Sequence, residues 1–373
     1  MRLTRLWLTD FRCHASAEVV PSEGLTAVVG DNGLGKTSLL EGIGWLATTR
    51  SFRGAPDAAL VRTGAERAIV RGATVRAGRD RLIEAEIARV GRNRIQVNRQ
   101  PVARAKALEE TLRVTVFAPD DLELVKGGPA GRRTYLDDLA VATVPRAAAA
   151  LHDYERVLRQ RNALLRSGVR NEDDRTTLAV WDEQLVRTGT DVVSARLTLL
   201  ERLHGPLAKA YASLAQGTRA QGSVAHDVAG FYEPPWAEGP VDPGEVAEHL
   251  VAALGRERRR EFDRGLTLVG PHRDEWRLTI GGLDARTHAS QGEQRSLALA
   301  LRLAGHHVVT DAVGEPPVLL LDDVFSELDP GRGEALVAHL PEGQALVTTA
   351  SVLPAELPID LTWTVTGSGV EVS

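Results

Sequence analysis

The sequence predicts an α/β protein whose central sheet is assembled from both ends of the chain, with a small antiparallel β subdomain and a mostly helical insertion between them. Three observations carry this expectation. A short apolar run near the start, Leu25 to Val29, enters a glycine-rich turn and then a helix-forming segment. A second apolar run, Val318 to Leu321, stands near the other end and finishes in two aspartates. Between them the texture changes twice, first to short alternating segments and then to helical spacing.

Leu25 to Val29 (LTAVV) reads as a buried strand, and Thr37 to Leu46 as the helix after the turn. From Arg67 to Val102 the segments Ala68-Ile69-Val70, Leu82 to Ile87 and Ile95-Gln96-Val97 alternate, separated by Gly78 and by Gly91-Arg92-Asn93. That pattern predicts an antiparallel meander. From about Pro145 the period is helical. Leu151, Tyr154, Leu158 and Leu165 share a stripe that Arg161 interrupts, and Leu185, Val192, Leu200, Leu203 and Leu207 form a second. Neither is long enough for an extended coiled coil. Gly230 to Gly244 reads as a Pro/Gly-rich loop between helices, and Glu245 to Arg264 resumes the helix. After Ser290 come a helix, the strand Val318 to Leu321 and a strand near Ala345-Leu346-Val347. The expected division is residues 1–115 and 300–373 in one lobe and 116–299 in the other.

At 373 residues the chain suits two domains, or one with a large insertion. No apolar stretch approaches the roughly 20 residues that span a bilayer. Asp10 and Arg12 come too early for a signal-peptide core, so a cytoplasmic protein is expected. Cys13 is the single cysteine, which excludes an intrachain disulfide and a cysteine-based metal site. A net charge of −5 argues against a uniformly basic DNA binder but allows a local patch. Lys36, Lys106, Lys126 and Lys209 are its lysines, so nearly all positive charge is arginine, for which the bland reading is a codon bias.

Gly30-Asp31-Asn32-Gly33-Leu34-Gly35-Lys36-Thr37, followed by Ser38, fits the pattern of a loop that wraps phosphates with backbone N–H groups. Lys36 is expected to reach the β- and γ-phosphates of ATP, and the Thr37 hydroxyl to bind Mg²⁺. Asp322, at the end of the second apolar strand, is expected to hold Mg²⁺, and Asp323 to orient or deprotonate the attacking water. Either motif alone has a bland alternative, a glycine turn or a solvated acidic turn. Together they specify a nucleotide site.

Ser290-Gln291-Gly292-Glu293-Gln294 opens an apolar helix and resembles the signature motif of ABC-type ATPases. There it contacts the γ-phosphate held by the opposing subunit, which implies roles for Ser290, Gly292 and Gln294. Ser326 to Asp329 resembles the D-loop of that superfamily. Ser290 is equally a helix cap, with Glu293 completing a capping box. The second acid is an aspartate where transporters carry glutamate, and Thr348-Thr349 stand where they carry a histidine. Both features suggest slow turnover.

The resemblance then narrows. Phe11-Arg12, Phe117 to Pro129, Arg132-Arg133, Tyr154 with Gln160 to Leu165, and Gly270-Pro271-His272-Arg273-Asp274 look like the RecF family of bacterial recombination mediators, nearly end to end. The resemblance implies an ATP-dependent homodimer that binds gapped or junction DNA and works with RecR, and indirectly RecO, to load RecA. His272 reads as a satisfied structural residue rather than a catalyst. Candidate DNA contacts are Arg62, Arg67, Arg71, Arg92, Arg94 and Arg99, with Arg256, Arg258, Arg259 and Arg260 in the insertion. No aromatic interleaving suggests base stacking. Two other classes compete: the nucleotide-binding subunit of a membrane transporter, which the helical middle opposes, and a metabolic phosphate-loop kinase, which the signature motif opposes.

Overall fold

The computed structural model describes residues 1–102, 108, 110–216 and 227–372. It divides into two compact units: Met1–Asp121, Ala212–Gly222 and Leu299–Ser373 form one, Leu122–Tyr211 and Ser223–Ala298 the other.

Among the described residues the first unit contains two six-stranded sheets. One is antiparallel. It contains β1 (Arg2–Phe11), β2 (His14–Val19), β4 (Arg67–Arg76), β5 (Arg79–Ala88), β6 (Arg94–Val97) and β7 (Gln100–Pro101), in the order β2-β1-β4-β5-β6-β7. The meander read from the sequence is β4 to β7. Alternation along these strands sends Leu3, Leu6, Leu8, Val70, Ile83 and Ile87 to one buried face.

The other sheet takes strands from both ends of the chain: β3 (Leu25–Val29), β8 (Val114–Phe117), β12 (Val318–Asp322), β13 (Ala345–Thr349), β14 (Ile359–Thr366) and β15 (Gly369–Val372). Its order is β15-β14-β3-β13-β12-β8, parallel except for β15. Continuous apolar runs suit β3 and β12 to this position, since a parallel strand is covered on both faces. Helix α1 (Lys36–Thr48) packs against both sheets, and its Leu39, Leu40, Ile43 and Leu46 share one core with the antiparallel face and with Leu320, Leu346 and Trp363. Gly42 permits the close approach: a Cβ there would lie 2.9 Å from Leu8 Cδ2.

The second unit holds α2 (Pro129–Thr143), α3 (Ala147–Ser167), most of α4 (Glu172–Gln216), and α5 (Val246–Arg264). It also holds a three-stranded antiparallel sheet, β11-β10-β9, from β9 (Val228–Glu233), β10 (Glu275–Ile280) and β11 (Leu283–Asp284). Here the structure corrects the sequence reading. Gly230 to Glu233 is strand rather than loop, paired with Glu275 to Leu278. Its partner lies far along the chain, and the prolines that follow Glu233 mark the loop without marking the strand before it. Helix α6 (Gln291–Val313) starts in this unit and finishes in the first, which also carries α7 (Pro330–Ala338).

Arg161, the interruption in the apolar stripe of α3, is the polar centre of the second unit. Its guanidinium is fully buried and donates to Asp182 Oδ1 at 2.8 Å, Thr267 Oγ1 at 2.8 Å and Glu261 Oε2 at 2.6 Å. Glu261 is itself fully buried. His272 lies in the same unit, and its Nδ1 accepts from the Tyr154 hydroxyl at 2.6 Å. Burial brings the His272 pKa down to about 4, so the ring is neutral at pH 7 and Nε2 donates to Thr267 O at 3.2 Å.

Arg161→Leu strands the Glu261 carboxylate without its cation. A buried charge left without its partner costs about 3–5 kcal/mol. Urea unfolding is expected to shift by that amount, and a loss below about 1 kcal/mol would show that the cluster is dispensable.

Candidate functional site

The turn after β3 is shaped by three glycines with positive φ: Gly30 at 143°, Gly33 at 83° and Gly35 at 103°. Gly35 carries the strictest demand. A Cβ there would fall 2.4 Å from Cys13 Sγ and 2.7 Å from His14 Nε2, in a backbone conformation that side chains avoid. Asp31, Asn32 and Gly33 are exposed at the tip, and Leu34 and Thr37 are partly covered. Lys36 and Ser38 are buried at the start of α1. Lys36 Nζ donates to Gly30 O at 2.7 Å and Asp31 O at 2.9 Å, which places the ammonium inside the curve of the loop. Among the described residues no side chain caps the α1 N-terminus, so its N–H groups and dipole face the loop.

The β1–β2 turn supports this loop from beneath. His14 Nε2 bonds Gly35 O at 3.1 Å, and Cys13 Sγ lies 3.8 Å from Leu34 O. Arg12 grips α1 through Glu41, donating to its two carboxylate oxygens at 2.7 and 2.6 Å. Glu41 is fully buried and also accepts from Ser51 Oγ at 2.5 Å. No local motif announces Cys13 or His14, so the sequence reading missed both.

Asp322 reaches the same place from β12. Its Oδ1 accepts from Thr37 Oγ1 at 2.7 Å, across 285 residues of sequence, and from Thr348 Oγ1 at 2.8 Å. Burial raises its pKa above the ordinary aspartate value. The two hydrogen bonds and the charge of Arg53 oppose that shift, and Asp323 reinforces it. Asp323 follows with a left-handed backbone, φ 50°, and its Oδ1 is buried with no hydrogen-bond partner among the described residues. A hydroxyl and a carboxylate meeting beside a phosphate-shaped loop suit Mg²⁺, which keeps waters and takes one or two carboxylates plus phosphate oxygens. Among the described residues no group of three or more His, Cys, Asp or Glu side chains forms a dedicated metal cage.

Ser290, Gly292 and Gln294 belong to the second unit. Ser290 forms the expected capping box: its backbone N–H and hydroxyl donate to Glu293 Oε2 at 2.8 and 2.7 Å, and Glu293 N–H donates back to Ser290 Oγ at 3.3 Å. Ser290 is exposed and Gly292 partly so. Gln294 instead turns inward, 3% exposed, and its amide donates to Ala285 O at 2.9 Å and Arg286 O at 3.1 Å. That places it as a brace for the segment before the helix rather than as a side chain offered to a ligand.

Several arginines expected to meet DNA are already paired. Arg62 bonds Asp10 at 2.7 Å, Arg67 bonds Glu86 at 3.0 Å and Arg71 bonds Glu84 at 3.2 Å. Arg258 bonds Asp182 at 2.6 Å, Arg260 bonds Glu257 at 2.7 Å, and Arg256 donates to Trp236 O at 3.2 Å. Arg92, Arg94, Arg99 and Arg259 are exposed.

The chain is similar to known proteins along nearly its whole length. The family model described as the RecF/RecN/SMC N-terminal domain matches residues 2–352. The chain is 46% identical over 371 residues to the DNA replication and repair protein RecF of Frankia alni, covering 98% of this chain and 97% of that one. It is 44% identical over 374 residues to the RecF of Kineococcus radiotolerans, covering 97% and 95%. A solved structure of the recombination mediator protein RecF with ATP, in the RecFOR pathway, matches with a TM-score of 0.88 and 29% identity over 100% of this chain and 99% of that one.

Lys36→Ala removes the cation from the curve of the loop and is expected to abolish ATP binding. Calorimetric titration checks this, and an affinity within threefold of the unmodified protein would overturn the assignment of the loop.

Proposed function

Because this chain belongs to the RecF family of DNA replication and repair proteins, we propose that it is an ATP-switched DNA-binding protein that dimerises around ATP and, with RecR and RecO, promotes RecA loading at single-strand gaps. The observation that supports it most is the contact between Thr37 and Asp322, which joins the phosphate loop after β3 to the end of β12, two parallel strands of one sheet that flank β13. Family membership displaces the transporter-subunit reading. Among the described residues no helix is long and apolar enough to cross a membrane.

ATP binds with its phosphates wrapped by the N–H groups of Gly33 to Thr37, and Lys36 exchanges its carbonyl partners for the β- and γ-phosphates. Thr37 and Asp322 would hold Mg²⁺, whose chemistry when bound would be to offset charge on the phosphates. Asp323 accepts a proton from the attacking water. Its side chain is one methylene shorter than the glutamate of transporters, and Thr348-Thr349 replace their histidine, so hydrolysis is slow and serves as a switch. Ser290 supplies the contact to the γ-phosphate held by the second copy.

Arg92, Arg94, Arg99 and Arg259 are the arginines best placed to meet DNA phosphates, since they are exposed and contact there breaks no ion pair noted above. Affinity for gapped duplex is then expected to fall steeply with salt as counterions are released. Arg92→Ala with Arg94→Ala is expected to lower the slope of log K against log salt by about 2, near 0.9 for each phosphate contact in duplex. A salt-insensitive affinity would overturn the assignment.

Ser290→Arg tests the dimer. A guanidinium at the N-terminus of α6 fills the space of a phosphate and opposes the helix dipole. ATP binding by the monomer is expected to persist, while light scattering shows no ATP-dependent dimer. If Ser290 is a cap and nothing more, the variant loses about 1 kcal/mol of stability and dimerises normally.

A further inference from the structure

Strand β13 brings to the site a side chain that neither motif contains. Thr348 is 1% exposed and lies in register with Asp322 on one side and Val28 on the other. Its hydroxyl donates to Asp322 Oδ1 at 2.8 Å and accepts from the Asp323 N–H at 2.9 Å. Its carbonyl accepts from that same N–H at 3.2 Å. Since Asp322 Oδ1 also accepts from Thr37, the order Thr37, Asp322, Thr348, Asp323 is one hydrogen-bonded series from α1 to both acids.

We propose that Thr348 is a positioning residue for ATP hydrolysis, fixing the Asp322 carboxylate and holding Asp323 in the backbone conformation that aims its carboxylate. This rests on reading the site as an ATPase. A hydroxyl has one proton to give and lone pairs to receive with, and both capacities are committed to the two acids. Asp323 sits at φ 50°, a left-handed conformation uncommon for residues other than glycine though tolerated by aspartate, and Thr348 holds its N–H from two atoms. Asp323 Oδ1 has no partner of its own among the described residues, so the backbone, rather than a tether on that oxygen, sets where it points. Valine reproduces the shape of threonine but makes neither bond. Serine makes both. The hydroxyl of Thr349, the next residue, donates to Ser351 O at 3.1 Å instead of to either acid.

The test compares Thr348→Val and Thr348→Ser in the full chain with Mg-ATP. Thr348→Val is expected to lower kcat at least tenfold with KM within twofold, and Thr348→Ser to restore kcat to within threefold. A Thr348→Val protein that retains kcat within twofold overturns the proposal. So does a Thr348→Ser protein that loses as much as Thr348→Val. A crystal structure of Thr348→Val gives a readout independent of turnover: Asp323 is expected to leave φ near 50° and Asp322 to rotate from Thr37, and unchanged geometry overturns the proposal. Absence of hydrolysis by the unmodified protein would instead sink the ATPase reading, leaving Thr348 to be judged by that structure.

Discussion

β13 lies between β3, which leads into the phosphate loop, and β12, which ends in the two acids. Helix α1 leaves the loop after β3 and packs against β13 and β12, so the end of β12 lies beside its first turn. Two hydroxyls meet the carboxylate there. Thr37 comes down from the first turn of α1 and Thr348 stands on the intervening strand, and both donate to the same oxygen of Asp322. The burial of α1, the glycine at position 42 and the Arg12–Glu41 pair all hold that helix close enough for a 2.7 Å contact.

What the sequence made legible follows from how local each signal is. The phosphate loop, the acidic strand and the capping box are contiguous, and each appears with the contacts its residue types imply. The meander was readable because alternation is a period of two within one segment. Strand β9 was not, because four residues beside a proline-rich loop become a strand only through pairing with β10. Thr348 was visible only within the pair Thr348-Thr349 that stands where transporters carry a histidine, and its bonds depend on which strand lies next to which. Arg67 and Arg71 looked available for DNA because the acids that neutralise them are on β5.

Buried charge is used in the same way in both units. Glu41 and Glu261 are each fully buried, each held by an arginine, and each bonded to a further donor, Ser51 Oγ in one case and Leu268 N–H in the other. Such pairs add little net stability over an apolar core, since desolvation offsets attraction. They do penalise arrangements that separate the partners. Arg161 ties α3 to α4 and α5, and Arg12 ties the β1–β2 turn to α1, so each fixes the spacing of elements that carry or support functional groups.

The capping box bears on how a composite site can be reversible. Ser290 and Glu293 satisfy one another within a single chain, so the N-terminus of α6 is complete without a second copy. On the dimer reading, a γ-phosphate that takes the Ser290 proton must displace a carboxylate, exchanging one charge-assisted hydrogen bond for another. The net gain per contact is then small, and association depends on ATP binding the dimer more tightly than the monomer. On the same reading, hydrolysis would remove the phosphate that competes with Glu293, and the box would close again. The short acid at position 323 and the slow chemical step proposed for it would suit that arrangement, because the lifetime of the assembled state would be set by how long the γ-phosphate survives.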